Sequence, residues 1–253
     1  MIRFFTAPED ISKNSIQLSS EDSEHIRSLR LRPDELFVVC DGNGNDYVCR
    51  LGKRNDGTSA EITDRYPSLG EPSIACKLYM AYSKGERLDY AVQKAVELGA
   101  YEIILFESER CIAVPRDIPK KIARLQRISL ETAKQCGRGI IPKVTSGGSF
   151  ETAISEAVKI SALSLFFYEC EDNNFIKTVL EQHFSPLRLH EEYAINTVSI
   201  ITGPEGGFEP DEARFARSKG ACTVSLGSRV LRSETAPVIA LAALMYHTGN
   251  MEK

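Results

Sequence analysis

Two hydrophobic rhythms divide the chain. Through residues 1–70, short apolar runs alternate with polar positions at Ile2–Phe5, Ser15–Leu18, Leu36–Cys40, Asp46–Leu51 and Ser59–Thr63. Such alternation, bounded by polar and glycine-rich turns, predicts strands. Asp41-Gly42-Asn43-Gly44-Asn45 lies between two of them and reads as a hairpin turn. It contains a G-x-G, but no glycine follows three later and no helical pattern opens there, which argues against a dinucleotide loop. A single short helix fits Ser20–Leu29, with Ser20 as N-cap. The segment predicts a small, mostly β barrel or sandwich that ends in the breaker-rich stretch Tyr66-Pro67-Ser68-Leu69-Gly70-Glu71-Pro72.

From residue 73 the period changes. Strands are predicted at Ile74–Tyr82, Tyr101–Phe106, Ala162–Tyr168, Thr197–Thr202 and Cys222–Leu226. Between them, helical spacing covers Glu86–Leu98, roughly Pro119–Cys136, Phe150–Ile160, Asn174–His183 and Pro210–Lys219. The first of these carries Leu88, Ala91, Val92, Ala95 and Val96 on one stripe, with Gly99 placed to end it. A last helix is predicted over Ser233–His247, with Ser233 as N-cap and Pro237 in the first turn, where a missing N–H is tolerated. Alternation of this kind predicts an α/β unit with a mostly parallel sheet and helices on both faces. Ligands of such sheets bind beyond the carboxyl ends of the strands.

Composition narrows the class. The chain has 253 residues, 42% hydrophobic, which suits one large or two modest domains. Seven scattered cysteines with no C-x-x-C pair and four dispersed histidines (His25, His183, His190, His247) predict reduced thiols and no metal site. The opening MIRFFTAPED has too short an apolar stretch for a signal peptide. The longest apolar run, Val238 to Tyr246, is about half a membrane span. A cytoplasmic protein with no membrane partner is expected.

Charge first points away from nucleic acid and then back towards it. The total is 31 basic against 35 acidic residues, a net of −4, whereas nucleic-acid-binding domains are usually basic. Its distribution says otherwise. Between Arg110 and Lys143, nine basic residues face only Asp117 and Glu131, while Ser164–Glu212 carries ten acids and two basic residues. Arg27, Arg30 and Arg32 form a further basic cluster. A solvated helix face is the plainer meaning of such runs; a phosphate-contacting surface is the other.

Two loops that leave predicted strands concentrate the candidate chemistry. The first is Ile201-Thr202-Gly203-Pro204-Glu205-Gly206-Gly207-Phe208, where glycines let backbone approach a ligand; with no lysine after them, it is not a triphosphate loop. The second is Ser225-Leu226-Gly227-Ser228-Arg229-Val230-Leu231-Arg232-Ser233-Glu234-Thr235-Ala236. Parallel neighbouring strands would bring both to one sheet edge.

These strings resemble the SPOUT superfamily of RNA methyltransferases, specifically the 16S ribosomal RNA (uracil-N3)-methyltransferases. Besides the GPEGG loop and Leu226-Gly227-x-Arg229-Val230-Leu231-Arg232-Ser233-Glu234-Thr235-Ala236, the resemblance rests on Lys84-Gly85, Gln93-Lys94-Ala95-x-Glu97-Leu98-Gly99, Ser108-Glu109-Arg110, Gln135-Cys136-Gly137-Arg138 with Pro142, His25-x-x-x-Leu29-Arg30-Leu31, and Asp41-Gly42-x-Gly44. It covers nearly the whole chain in order. Departures are mild: Ser228 where proline is common, Val230 for isoleucine, Ser233 for threonine.

The resemblance implies a PUA-like β-barrel over 1–70 that binds RNA, then a SPOUT methyltransferase domain over 73–253 with a carboxyl-terminal trefoil knot. It implies a homodimer, with the final helix a candidate for burial between subunits, and S-adenosylmethionine as cofactor. Ile201, Gly203, Pro204, Gly206, Leu226, Gly227, Val230 and Leu231 would hold that cofactor, and 16S rRNA within the small ribosomal subunit would be the substrate. Arg232 is the first choice to stabilise charge on a deprotonated uracil edge; Glu234 or Glu205 would accept the proton or orient Arg232, and these stay open. Arg27, Arg30, Arg32, Lys84, Lys94, Arg110, Arg124, Gln135 and Arg138 are the expected RNA contacts. Two alternatives remain: a SPOUT methyltransferase with another RNA target, and a non-catalytic ribosome-assembly factor.

Overall fold

The computed structural model describes residues 1–32, 34–52, 59–184 and 197–252; His190 lies outside them. The chain forms two compact units, Met1–Glu71 with Leu130–Ile141, and Pro72–Ser129 with Pro142–Lys253.

In the first unit, β1 (Arg3–Phe5), β2 (Ser15–Gln17), β3 (Phe37–Cys40), β4 (Asn45–Leu51) and β5 (Ser59–Pro67) form one sheet in the order β1-β3-β4-β5-β2. Only β1 and β3 pair in parallel; the other neighbours are antiparallel. The β3–β4 turn is the expected hairpin, closed by Asp41, whose Oδ1 accepts the N–H groups of Asn43 and Asn45 at 2.8 and 3.1 Å. Phe4, Ile16, Phe37, Val39 and Cys49 pack with Ile26 of helix α1 (Ser20–Leu29) into the core of this unit.

Two details depart from expectation. Ser19, not Ser20, caps α1, its Oγ accepting from Asp22 N–H at 3.0 Å. The strand β5 runs on through Tyr66 and Pro67, which pair with Asp46 and Asn45. Proline is tolerated there because β2 reaches only Ser59–Glu61, so this end of β5 is a sheet edge that needs no further donor.

Ion pairs complete this unit. Arg3 donates to both Asp46 carboxylate oxygens at 2.8 Å, and Ser68 Oγ and Cys40 Sγ also bond to Oδ1. Burial alone would raise the Asp46 pKa, but the hydrogen bonds from Arg3, Ser68 and Cys40 hold it below its ordinary value. Arg138, 2% exposed, grips Glu71 through Nε at 3.1 Å and Nη2 at 2.7 Å. Glu71 also accepts the Gly139 and Ile140 N–H groups at 2.9 and 3.1 Å.

The second unit holds β6 (Ala75–Ala81), α2 (Arg87–Glu97), β7 (Glu102–Glu107), most of α3 (Ile118–Cys136), β8 (Lys143–Ser149), α4 (Phe150–Ile160), β9 (Leu163–Phe167), α5 (Ile176–His183), β10 (Thr197–Thr202), α6 (Pro210–Lys219), β11 (Cys222–Val224) and α7 (Thr235–His247). Its six strands are all parallel, in the order β11-β9-β10-β6-β7-β8. The sequence pattern had not marked β8: Lys-Val-Thr-Ser-Gly-Gly-Ser has one large apolar residue, which suffices at a sheet edge. Helix α7 begins at Thr235, two residues after its expected start, and Glu234 stands at the cap position without a capping bond.

The strand order also corrects one expectation about the site. The strands β10 and β11 are not neighbours; β9 lies between them, so the loop after β9 leaves the carboxyl edge between the two expected loops. Beneath them Phe208 sits in the core, its ring 4.3 Å from that of Phe166, with Phe150 and Phe106 around it.

Candidate active site

A cavity of about 830 Å³ opens at this edge, walled by the loops after β9, β10 and β11 and by the start of α7. Gly203, Pro204, Glu205, Gly206, Leu226, Gly227, Val230, Leu231, Arg232 and Glu234 all line it. Ile201 does not: it is fully buried in β10 and packs in the core. The loop after β9 adds Tyr168, Glu169, Glu171 and Asp172, and the start of α2 adds Arg87, none of which carries a local sequence signal for the site.

The glycines of the first loop have local causes. A Cβ on Gly203 would come within 3.1 Å of the Phe208 ring, so the ring that seals the core sits directly under the loop. Gly207, at φ +69°, would drive a Cβ into the Glu169 carboxylate, whose Oε1 accepts the Phe208 N–H at 3.2 Å. Arg110 clamps the same loop from outside, donating to the Gly206 carbonyl at 3.0 Å while pairing with Glu209 at 2.6 Å. Ser108 Oγ and the Glu109 N–H both bond to Glu212 in the capping box of α6. The Ser108-Glu109-Arg110 string therefore fastens the glycine-rich loop and the helix that follows it.

Charge alternates along one wall. Glu205 Oε1 accepts the Lys84 N–H at 2.7 Å and Arg87 Nη1 at 2.6 Å, while its Oε2 is buried with no hydrogen-bond partner among the described residues. Arg87 Nε lies 3.7 Å from Glu234 Oε2, and Arg232 Nη1 lies 3.9 Å from Glu234 Oε1. Burial works to raise the Glu205 pKa, but the Lys84 N–H, its own N–H and Arg87 together hold it below the ordinary carboxylate value. Arg232 leaves its side chain 82% exposed at the mouth. Glu171 is buried and accepts from Thr223, Asn173, Asn174 and Arg217, so it braces the loop after β9.

This lining suits a cationic, partly apolar ligand. Glu169 and Asp172 add carboxylates beyond the Glu205 and Glu234 that pair with arginines, Leu226 and Leu231 offer apolar surface, and glycine backbone lies open to close approach. Gly227, at φ +103°, has nothing within 4 Å of where a Cβ would stand. Among the described residues no cluster of His, Cys, Asp and Glu could hold a metal. Nor is any described helix long and apolar enough to cross a membrane.

Residues 70–245 match the family model of an RNA methyltransferase domain, and residues 18–63 match that of an RNA methyltransferase PUA domain. The ribosomal RNA small subunit methyltransferase E of Aquifex aeolicus is 30% identical over 238 residues, covering 94% of this chain and 96% of that protein. The chain belongs to the ribosomal RNA small subunit methyltransferase E family. The Mesomycoplasma hyopneumoniae member is 29% identical over 242 residues, covering 95% of this chain and 97% of its own. Among solved structures, the Neisseria gonorrhoeae member of this family, bound to S-adenosylmethionine, superposes with a TM-score of 0.78 at 29% identity over 97% of both chains. A putative methyltransferase from Legionella pneumophila, also holding S-adenosylmethionine, gives 0.78 at 28% identity over 97% of both.

In this small subunit methyltransferase E chain, the expected RNA contacts fall into two groups. Arg27, Arg30, Arg32, Lys84 and Gln135 are exposed. The others are engaged. Arg138 is buried on Glu71, Arg110 clamps the glycine-rich loop, Arg124 pairs with Asp89, and Lys94 pairs with Glu97 at 2.7 Å. Arg138 in particular is a structural tie with no surface left for a phosphate. Exposed Arg116, Lys120, Arg127 and Lys143 remain from the basic run.

Proposed function

We propose that this S-adenosylmethionine-dependent rRNA methyltransferase methylates N3 of a uridine in 16S rRNA of the small ribosomal subunit, acting in the cytoplasm as a homodimer. The observation that carries this reading is Arg232, exposed at the mouth of an acid-lined cavity with Glu234 beside it. When bound, S-adenosylmethionine supplies an electrophilic methyl on a positively charged sulfur. Gly203, Pro204, Gly206, Leu226, Gly227, Val230 and Leu231 hold it against the loops. Uracil N3 carries a proton at neutral pH, and its removal builds negative charge on N3 and the flanking carbonyl oxygens. Arg232 stabilises that charge, because a guanidinium stays ionised and presents a planar fork to the base edge. Glu205 is committed to Lys84 and Arg87, so its role is to anchor the loop. That leaves Glu234, the carboxylate next to Arg232, to orient it and accept the proton.

Residues 1–70 serve in this reading as the PUA-like RNA-holding domain and 73–253 as the SPOUT methyltransferase domain, its carboxyl-terminal loops threaded as a trefoil knot. Arg27, Arg30, Arg32, Lys84, Gln135 and Arg127 contact phosphates, and the target base is extruded into the cavity. Helix α7 supports the dimer. It is apolar on every side, burying Ala240, Leu241, Leu244 and Met245 inward while leaving Ile239 44% and Tyr246 76% exposed. Sedimentation should show a dimer that Tyr246→Asp dissociates; a monomeric parent protein rejects the dimer.

The test of the activity is methyl transfer from labelled S-adenosylmethionine to small subunits, followed by nucleoside analysis. Label is expected in 3-methyluridine. Label in another nucleoside would assign a different RNA target, and no transfer with intact cofactor binding would make the protein an assembly factor.

A further inference from the structure

We infer that Arg87 is a positioning residue of the methyl-transfer site, bridging the carboxylates of Glu205 and Glu234 so that the loops after β10 and β11 are held in one arrangement. The inference rests on the methyl-transfer reading of the cavity. Arg87 comes from neither loop: it opens α2, just past the turn at Lys84-Gly85. Its Nη1 lies 2.6 Å from Glu205 Oε1 and its Nε lies 3.7 Å from Glu234 Oε2. Glu234 faces Arg232 in turn, at 3.9 Å. Four charges thus alternate along the wall, from Glu205 through Arg87 and Glu234 to Arg232.

A planar guanidinium can offer separate N–H groups to two carboxylates at once, whereas an ammonium is a point charge on a flexible stem. Glu205 needs such a partner. One of its oxygens is buried without a hydrogen bond among the described residues, and without Arg87 the carboxylate would keep backbone N–H groups alone, those of Lys84 and of Glu205 itself. Arg87 is itself 42% exposed, so water screens the pair and its contribution to global stability is small. The consequence falls on geometry. With Arg87 gone, Glu234 keeps the Ser233 hydroxyl at 3.3 Å and the exposed Arg232, so the carboxylate that aims Arg232 is held less firmly.

The test compares Arg87→Ala and Arg87→Lys with the parent enzyme. Arg87→Ala should lower kcat about 10- to 100-fold, the scale of loss when a reacting group is displaced by about 1 Å. KM for small subunits should stay within about threefold, since no RNA contact is assigned to this bridge. Kd for S-adenosylmethionine should rise by less than kcat falls, because the loosened loop also carries Gly203, Pro204 and Gly206. Arg87→Lys should recover part of kcat, because it restores one contact of the two. Without any substrate present, amide hydrogen exchange across 203–207 and 228–235 should be about tenfold faster in Arg87→Ala and intermediate in Arg87→Lys, with other segments unchanged. Raised KM for small subunits at unchanged kcat would make Arg87 an RNA contact and overturn the proposal. So would unchanged exchange in both loops. If Arg87→Ala fails to fold, the same criteria apply to Arg87→Lys. A parent enzyme that transfers no methyl to ribosomal RNA sinks the functional reading alone, since the exchange measurement reads the bridge without turnover.

Discussion

Replacing Arg232 by alanine is expected to cut turnover about 10²- to 10³-fold, the usual cost of deleting one group aimed at charge that develops in a transition state. The side chain stands 82% exposed at the cavity mouth, and its carboxylate neighbour Glu234 is 3.9 Å away. Neither fact gives Arg232 much to contribute to folding, because exposed pairs are screened and cost entropy to hold. The backbone is different: the Arg232 carbonyl accepts the N–H groups of Thr235 and Ala236 at 2.9 Å, starting α7, and alanine preserves both bonds. Turnover should therefore fall while the melting temperature and the calorimetric affinity for S-adenosylmethionine stay near those of the parent. Calorimetry that shows cofactor binding abolished would move Arg232 from charge stabilisation to cofactor binding. Lysine at this position should rescue only part of the rate, because it keeps the charge but loses the fork that matches a uracil edge.

What was legible in the sequence follows from how local each signal is. The helix α2 announced itself through Leu88, Ala91, Val92, Ala95 and Val96, all of which are buried. The parallel sheet was implied by alternation, and the glycine-rich loops by composition. The strand β8 was not legible, since only Val144 is a buried apolar residue in it and an edge strand asks for no more. The loop after β9 was missed for another reason: Tyr168-Glu169-Cys170-Glu171-Asp172 has no glycine signature, and acids in a turn read as solvated. Arg87 likewise reads as an ordinary residue of a first helical turn. Its partners are 118 positions away at Glu205 and farther still at Glu234, and no local pattern encodes them. The same distance blindness hid the ion-pair partners of the basic run. Lys121 and Arg124 meet Asp89 on another helix, Lys134 meets Asp22, and Arg110 meets Glu209. A count of charges along the chain cannot see acids brought in by the fold, so the run overstated what is open to RNA.

Arg138 and Arg127 make that distinction measurable, because both stand in the same basic run and only one is open to solvent. Arg138→Ala should lower the unfolding free energy by about 3–5 kcal/mol, the range found when one partner of a buried ion pair is removed. The cause is specific. Glu71 would keep the Gly139 and Ile140 N–H groups but lose every bond from the guanidinium, and the carboxylate would stay largely buried, at 17% exposure. Replacing both partners by apolar residues of similar volume should cost much less, since no uncompensated charge remains. Arg127→Ala should do the reverse. It should leave stability within about 0.5 kcal/mol, as for surface positions generally. It should also reduce the slope of log affinity against log salt by about one for RNA binding, the signature of one lost phosphate contact. At temperatures where Arg138→Ala is still folded, its salt slope should match that of the parent. A reduced slope in Arg138→Ala with unchanged stability would reverse the two assignments, placing Arg138 at the RNA and leaving Glu71 to be satisfied by backbone alone.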